Sequence, residues 1–418
     1  MAAQRDTTGM SGGHWRFQLL VGWLNLVLTA PVIYLYIGLP LVMRAEGWSG
    51  TEIGLFQLAG LPAVIKFLLA TPIDRFGAGR DRYRRWSLVL ILGYGLGLLA
   101  LAALAIDRSS WGLLFTTALI TSLLGTWADI PINALAIRRL PPDERWRAGA
   151  IRSAATSLGA ILGGGVMLLV HNQLGWAWPF LLLTGGLALG AMGLLWLAPT
   201  ADHSSATRQL VAATTWASWR GYFQSPVRRA WCLLVALYFP FIGAAWVYLK
   251  PLLLDHGLAA DRIAAVVGIA GGALAALASL AAARLVARIG TAWALPLLAA
   301  TGLLATLALL IATRLAHPVL LQGAALLVAL AMGAAAGVMF GLMMHHTRPG
   351  WTALDYGLQS SVFSLSRIVV PMLAGLVLDA GGYSGLLLAL AAGLALVVVL
   401  SWRLGARVSP SVPGVTVP

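Results

Sequence analysis

Long apolar runs alternate with short polar breaks along the whole chain. Twelve such runs of about 20 residues can be counted, each long enough as a helix to cross ~30 Å of hydrocarbon. They predict spans over 17–43, 52–73, 86–106, 111–137, 148–170 and 176–198. After a longer polar link, further spans are predicted over 230–254, 262–284, 291–313, 318–344, 355–378 and 384–404. Residues 1–16 are polar without a small-residue cleavage site, and the run that follows is too long for a signal-peptide core. It is expected to remain as the first span. The fold class read from this pattern is an all-α polytopic membrane protein.

The basic residues, sorted by loop, support the count. With the N-terminus inside, 21 arginines fall on the cytoplasmic side and five basic residues outside. The inner set includes Arg75, Arg80, Arg82, Arg84 and Arg85 in the second loop, and Arg138, Arg139, Arg145, Arg147 and Arg152 around the fourth. Both termini are therefore expected in the cytoplasm, since a miscount by one span would scramble the split.

Composition then closes off several classes. The chain is 60% hydrophobic and 10% charged, with a mean hydropathy of +0.86, where soluble globular domains carry ~25% charged residues. A net charge of +14 would point to nucleic acid in a soluble protein. Here the arginines sit in short loops, so they read as an orientation signal and as contacts to anionic lipid. The one cysteine, Cys232, lies in an apolar run, which leaves no disulfide framework. An ATP-driven pump is excluded because the two lysines, Lys66 and Lys250, precede Phe67 and Pro251 where a P-loop needs Ser or Thr. No H-E-x-x-H, G-x-S-x-G or S-x-x-K pattern is present, so no enzyme is expected, and no ring of like charges suggests a channel.

The link over 199–229 divides the chain into halves, 1–198 and 230–418. Within it Trp216, Trp219 and Phe223 share one helical face, which suits a helix in the headgroup region with Arg208 and Arg220 toward water; an ordinary linker with interfacial aromatics fits equally. The halves look like weak repeats: GLPLVMRAEGWSGTEIG (38–54) has a counterpart in LKPLLLDHGLAADRIAA (249–265), each followed by a span ending in RFG (75–77) or RIG (288–290). Two related six-span halves joined by a cytoplasmic link resemble the major-facilitator architecture, whose substrate site lies between the halves near the midplane.

Three charges fall inside predicted spans: Lys66, Asp129 and Arg367. Each costs at least about 2.5 kcal/mol in hydrocarbon, so each should face something polar. Lys66 and Asp129 lie at similar depth. They read either as a permanent structural pair or as a coupling pair in which Asp129, the only carboxylate well inside a span, takes up a proton and releases Lys66. Arg367, in mid-span, would grip a carboxylate of a bound solute or pair with an unseen group between helices. Gln359, two turns earlier, would help line that face. The aromatics Tyr34, Tyr36, Tyr238, Phe239, Phe241, Trp246 and Tyr248 offer flat rings for an aromatic ligand, while an interfacial belt explains Trp246 and Tyr248 equally. Pro240 should kink its span. Asp355 reads as a helix cap. The methionines at 332, 339, 343 and 344 read as packing, and His345 and His346, about 100° apart on a helix, as surface residues rather than a metal pair.

Four segments carry a more specific resemblance: YLYIGLPL (34–41), GLPAVIKFLLATPIDR (60–75), ADIPINALAIRRLPPDERWRAGAIRSAATSLGAILGGG (128–165) and LDYGLQSSVFSLSRIVVPMLAGLVLDAGG (354–382). Together they resemble the peptide–acetyl-coenzyme A transporter family of the major facilitator superfamily. That family includes AmpG-type muropeptide permeases and RhtX/FptX-type siderophore importers. Leu69, Thr71 and Asn133 depart from the family pattern, and two extra spans common in AmpG-type proteins are not found, which favours the siderophore branch. The resemblance implies twelve helices in two pseudo-symmetric halves. It implies a monomeric, proton-driven symporter of the bacterial inner membrane that imports a siderophore. The ferric complex would be cargo, with no cofactor, no resident metal and no nucleic-acid partner; a muropeptide or other anionic solute is the alternative. It also implies a gating motif of Asp74, Arg75, Arg80, Arg84 and Arg85, with Asp74 against the positive N-terminal end of the eleventh span.

Overall fold

The computed structural model describes residues 8–48, 52, 55–75, 81–104, 111–197 and 215–409, and among these every regular element is a helix. The first half holds α1 (Thr8–Ile33), α2 (Leu39–Ala45), α3 (Lys66–Arg75), α4 (Arg82–Ala103), α5 (Trp111–Arg139), α6 (Arg145–Ile161), α7 (Met167–Leu174) and α8 (Ala177–Leu195). A short linker helix, α9 (Thr215–Tyr222), leads to α10 (Pro226–Leu237), α11 (Pro240–Asp255), α12 (Ala260–Ile263), α13 (Gly271–Ile289), α14 (Thr291–Leu315), α15 (Pro318–His345) and α16 (Thr352–Val408).

Ten helices among the described residues are long and apolar enough to cross a membrane. The longest, α16, has 57 residues and is broken at Gly382 (φ 61°, ψ −169°), where the left-handed backbone favours glycine. It therefore contains both of the last two predicted spans. The span expected over 52–73 is not one of the ten. It is a 3-10 segment, Gln57–Ala63, followed by the ten residues of α3. Gly60 and Pro62 account for this: Val64 N bonds Leu61 O and Ile65 N bonds Pro62 O, tightening the turn. Pro240 acts as the sequence implies, ending α10 and starting α11.

The halves meet most closely through α6 against α13 and α15, and through α3 against α16. Gly149 and Gly341 sit backbone to backbone, so that a Cβ on Gly149 would overlap the Gly341 amide. Ser153 Oγ lies 2.7 Å from Ser279 Oγ, and Phe67 N–H donates to Ser361 Oγ at 3.0 Å. Further along, the Ile161 side chain rests on Gly272. These contacts run from one end of the bundle toward its middle. That end also gathers Arg82, Arg145, Arg348 and the C-terminal turn of α16, and is called here the arginine-rich end.

Candidate functional site

At the heart of the first half, Lys66 Nζ lies 2.8 Å from Asp129 Oδ2, with both side chains 13% exposed. A third member joins them. Arg152 Nη2 lies 3.1 Å from Asp129 Oδ1 and 3.2 Å from Oδ2, and the arginine side chain is 8% exposed. Asn133, one turn along α5, donates its Nδ2 to Asp129 Oδ1 at 2.9 Å and to Asp129 O at 2.7 Å, which fixes the carboxylate. The cluster thus holds two cations to one carboxylate, and Nε and Nη1 of Arg152 are buried without a hydrogen-bond partner. The guanidinium stacks on two rings of the other half, 4.6 Å from the centroid of Phe340 and 5.1 Å from that of Tyr356. The ion cluster is therefore built into the contact between halves.

The loop count above placed Arg152 among the cytoplasmic arginines; the structure corrects this, putting it two turns inside α6 and buried. Depth was the available signal. Asp129 is ten residues from the end of α5 and Arg152 seven from the start of α6, so the chain reversal between two helices that both pack on α1 brings them within about 5 Å of the same depth at 1.5 Å per residue.

In the other half, Arg367 is exposed. Its guanidinium carbon lies 5.5 Å from the ring centroids of both Phe239 and Phe363. Among the described residues it makes no ion pair. Phe363 in turn lies 5.5 Å from Phe340, the ring beneath Arg152. A ladder of rings thereby connects Arg367 to the ion cluster across the halves.

The other predicted ligand residues are placed differently. Gln359 is fully buried, accepting from Trp231 Nε1 at 2.6 Å and donating to Asp355 O, so here it faces helix packing and not the accessible side of Arg367. Tyr34 is fully buried edge-on to Phe180, and Tyr36 packs against the same core. Tyr238 donates to Leu295 O at 2.7 Å inside its own half. Phe241 packs on Gly393, and Trp246 on Gly271. Of the aromatics singled out in the sequence, Phe239 is the one beside Arg367.

At the arginine-rich end, Asp74 Oδ2 accepts from Leu354 N–H at 2.7 Å, against the N-terminal end of α16 as the motif implies. Tyr83 Oη donates to Asp74 Oδ1 at 2.6 Å. The arginine that reaches Asp74 is Arg82, donating to Asp74 O at 3.1 Å. Arg84 bonds Leu197 O and lies 3.6 Å from Asp81, while Arg75 and Arg85 are exposed; Arg80 lies outside the described residues. Asp355 does not cap its own helix. It grips Arg348, accepting from the backbone N–H at 2.7 Å and from Nη2 at 2.6 Å.

The histidines are not surface residues. His345 packs at a tilt against Trp146 of the first half, ring centroids 4.9 Å apart, and His346 stacks on Trp231, with Nε2 3.0 Å from Val408 O. Burial pushes the His346 imidazole down to about 4, against the pull of the Val408 carbonyl, so it is neutral at pH 7. The linker helix also differs from the headgroup reading. Its anchor is Tyr222, fully buried with its hydroxyl on His346 O at 3.2 Å, while Trp219 meets Phe67 of the first half at 5.2 Å. Arg220 is exposed as expected, and Arg208 and the Trp216 side chain lie outside the described residues.

The sequence profile of the Major Facilitator Superfamily matches residues 21–371. The chain belongs to this superfamily. It is 28% identical over 222 residues to the anhydromuropeptide permease of Escherichia coli, a match covering 50% of this chain and 44% of that protein. The chain thus matches somewhat under half the length of that curated relative. Two solved structures share the fold. The human organic anion transporter MFSD10 (TETRAN) superposes with a TM-score of 0.73 at 17% identity, covering 93% of this chain and 99% of that one. The E. coli fucose:proton symporter FucP gives a TM-score of 0.73 at 16% identity, covering 93% and 98%. At such identities these likenesses carry the fold alone. A multi-pass helical membrane protein of the superfamily accounts for the apolar spans, the two halves and the charges between them.

Proposed function

We propose that this protein is a proton-driven secondary transporter of an anionic solute. The observation that carries the reading is the buried Lys66–Asp129–Arg152 cluster, wedged between the halves with one cation in excess. A surplus positive charge in a low-dielectric interior is costly until an anion meets it. Arg367, stacked between Phe239 and Phe363 without an acid of its own, adds a second cation on the facing half. A carboxylate-bearing solute would balance them as the halves rock about the site. Protonation of Asp129 would remove the one negative charge, free Lys66 and Arg152, and so couple their movement to the proton gradient.

On this reading the arginine-rich end faces the cytoplasm and is the closed end, with solute entering from the other side. A siderophore, imported as its ferric complex, is the cargo that the motif resemblance favours; iron would be substrate, not a resident metal. A muropeptide is the second reading, supported by the likeness to the anhydromuropeptide permease. Growth of a deletion strain on single siderophores as sole iron source, with muropeptide recycling measured alongside, separates the two. The mechanism is tested in proteoliposomes. Asp129→Asn is expected to abolish gradient-driven uptake while retaining exchange of labelled for unlabelled solute, and uptake that still followed a pH jump would refute the coupling role.

A further inference from the structure

The lipid-facing side of the second half carries a groove of about 420 Å³ between α13, α14 and α15. The buried Ala278 and Ala282 of α13 and Ala334 of α15 lie deepest in it, and Leu274, Leu277, Ala281 and Leu285 of α13, Leu298 of α14 and Leu330 of α15 line it around them. Alanines among the larger residues carve the trough. From Leu274 to Leu285 it runs about 16 Å along the helix. One leaflet of a ~30 Å hydrocarbon core is about 15 Å deep, so the groove has the reach of a single acyl chain.

At the arginine-rich end of this stripe stand Arg284 and Arg288. Arg288 follows Ala281 by two turns on the same face, and Arg284 flanks it. Both are exposed, and among the described residues neither makes a hydrogen bond or ion pair. Trp293, two residues into α14 and 66% exposed, and Trp402 of α16, 70% exposed, mark the same end. Gly405, one turn beyond Trp402, packs on Ala292 and ties the two helix ends together. Such a pair of exposed indoles suits headgroup depth. The arginines are therefore level with lipid phosphates, Arg284 at the mouth of the groove and Arg288 about one turn beyond it.

We propose that this groove holds one acyl chain of an anionic phospholipid whose phosphate is gripped by Arg284 and Arg288. The site sits on the back of α13. The opposite face of that helix carries Ser279 and Gly272, which meet the first half, so a bound lipid would steady the helix on which the halves pivot.

Native mass spectrometry of the purified full-length protein tests this, with phosphatidylglycerol and phosphatidylcholine of identical chains as probes. Each arginine near an anionic surface contributes enough that the pair should favour phosphatidylglycerol about thirty-fold. Arg284→Gln/Arg288→Gln is expected to fold normally, since both side chains are exposed, and to lose that preference. Ala281→Phe, which fills the trough, should lose retention of both lipids while leaving the arginines in place. Equal retention of the two lipids by the unaltered protein, or an unchanged preference in the double variant, would overturn the proposal. So would a second protein copy bound in place of lipid and displaced by Ala281→Phe.

Discussion

The two halves carry their deep charges in opposite ways. In the first half Lys66 and Arg152, from two helices, share the single carboxylate of Asp129 on a third, with Asn133 holding that carboxylate and one cation left in excess. In the second, Arg367 rests on the faces of two phenylalanines, and the neighbouring polar groups are neutral pairs such as Trp231 with Gln359 and Tyr238 with a backbone carbonyl. A paired carboxylate can be switched by one proton. A guanidinium held by rings stays charged at every physiological pH and is free to take an external anion. On the proposed function, proton handling would fall to one lobe and solute contact to the other.

The largest effect is expected where the pairing is removed outright. Asp129→Ala leaves Lys66 and Arg152 buried with no carboxylate, and loss of one partner of a buried ion pair costs about 3–5 kcal/mol. A lowered unfolding temperature of the purified protein, with uptake lost, is the expected outcome. An unchanged temperature would show that the cluster is solvated, and the contrast between lobes would fail. Arg367→Ala comes next. Its cation–π contacts are worth only about 0.5–1 kcal/mol at an accessible site, so insertion and stability should barely change while uptake is lost. Uptake at the normal rate would remove Arg367 from the solute path. Arg367→Lys, which keeps the charge but not the planar fork, should lie between the two.

Much of this layout was legible in the sequence. Apolar length placed the long helices, and the costs of Lys66, Asp129 and Arg367 marked them as special before any geometry. What escaped was partnership across sequence. Arg152 lies so close to the loop arginines that charge counting absorbs it, and only its ion pair with Asp129 across the chain reversal reveals its depth. The placement of the aromatics was hidden in a similar way. Tyr238, Phe239 and Phe241 are equivalent by composition, yet the break before Pro240 turns Phe239 toward Arg367 and sends its neighbours into the lobe interior. The residues over 52–73 are apolar enough to predict a span, but the effect of Gly60 and Pro62 on its regularity is local backbone chemistry that hydropathy ignores.

The smallest effect concerns the strap between the lobes. Helix α9 is fastened to the second half by Tyr222 and touches the first through the edge of Trp219 on Phe67, so it should favour the arrangement in which the arginine-rich end is sealed. Tyr222→Phe deletes the hydroxyl bonded to His346 O but keeps the ring between Arg228 and Arg348. A single such bond is worth about 0.5–1.5 kcal/mol, which corresponds to a population shift of roughly two- to tenfold. Ser153, buried where the halves meet, reports on that shift. With Cys232 replaced by serine and Ser153 by cysteine, an aqueous thiol reagent should label faster by that factor when Tyr222→Phe is added, while the unfolding temperature hardly moves. Labelling at the same rate would confine α9 to the second lobe and leave the ion cluster and the Gly149–Gly341 contact as what holds the halves closed.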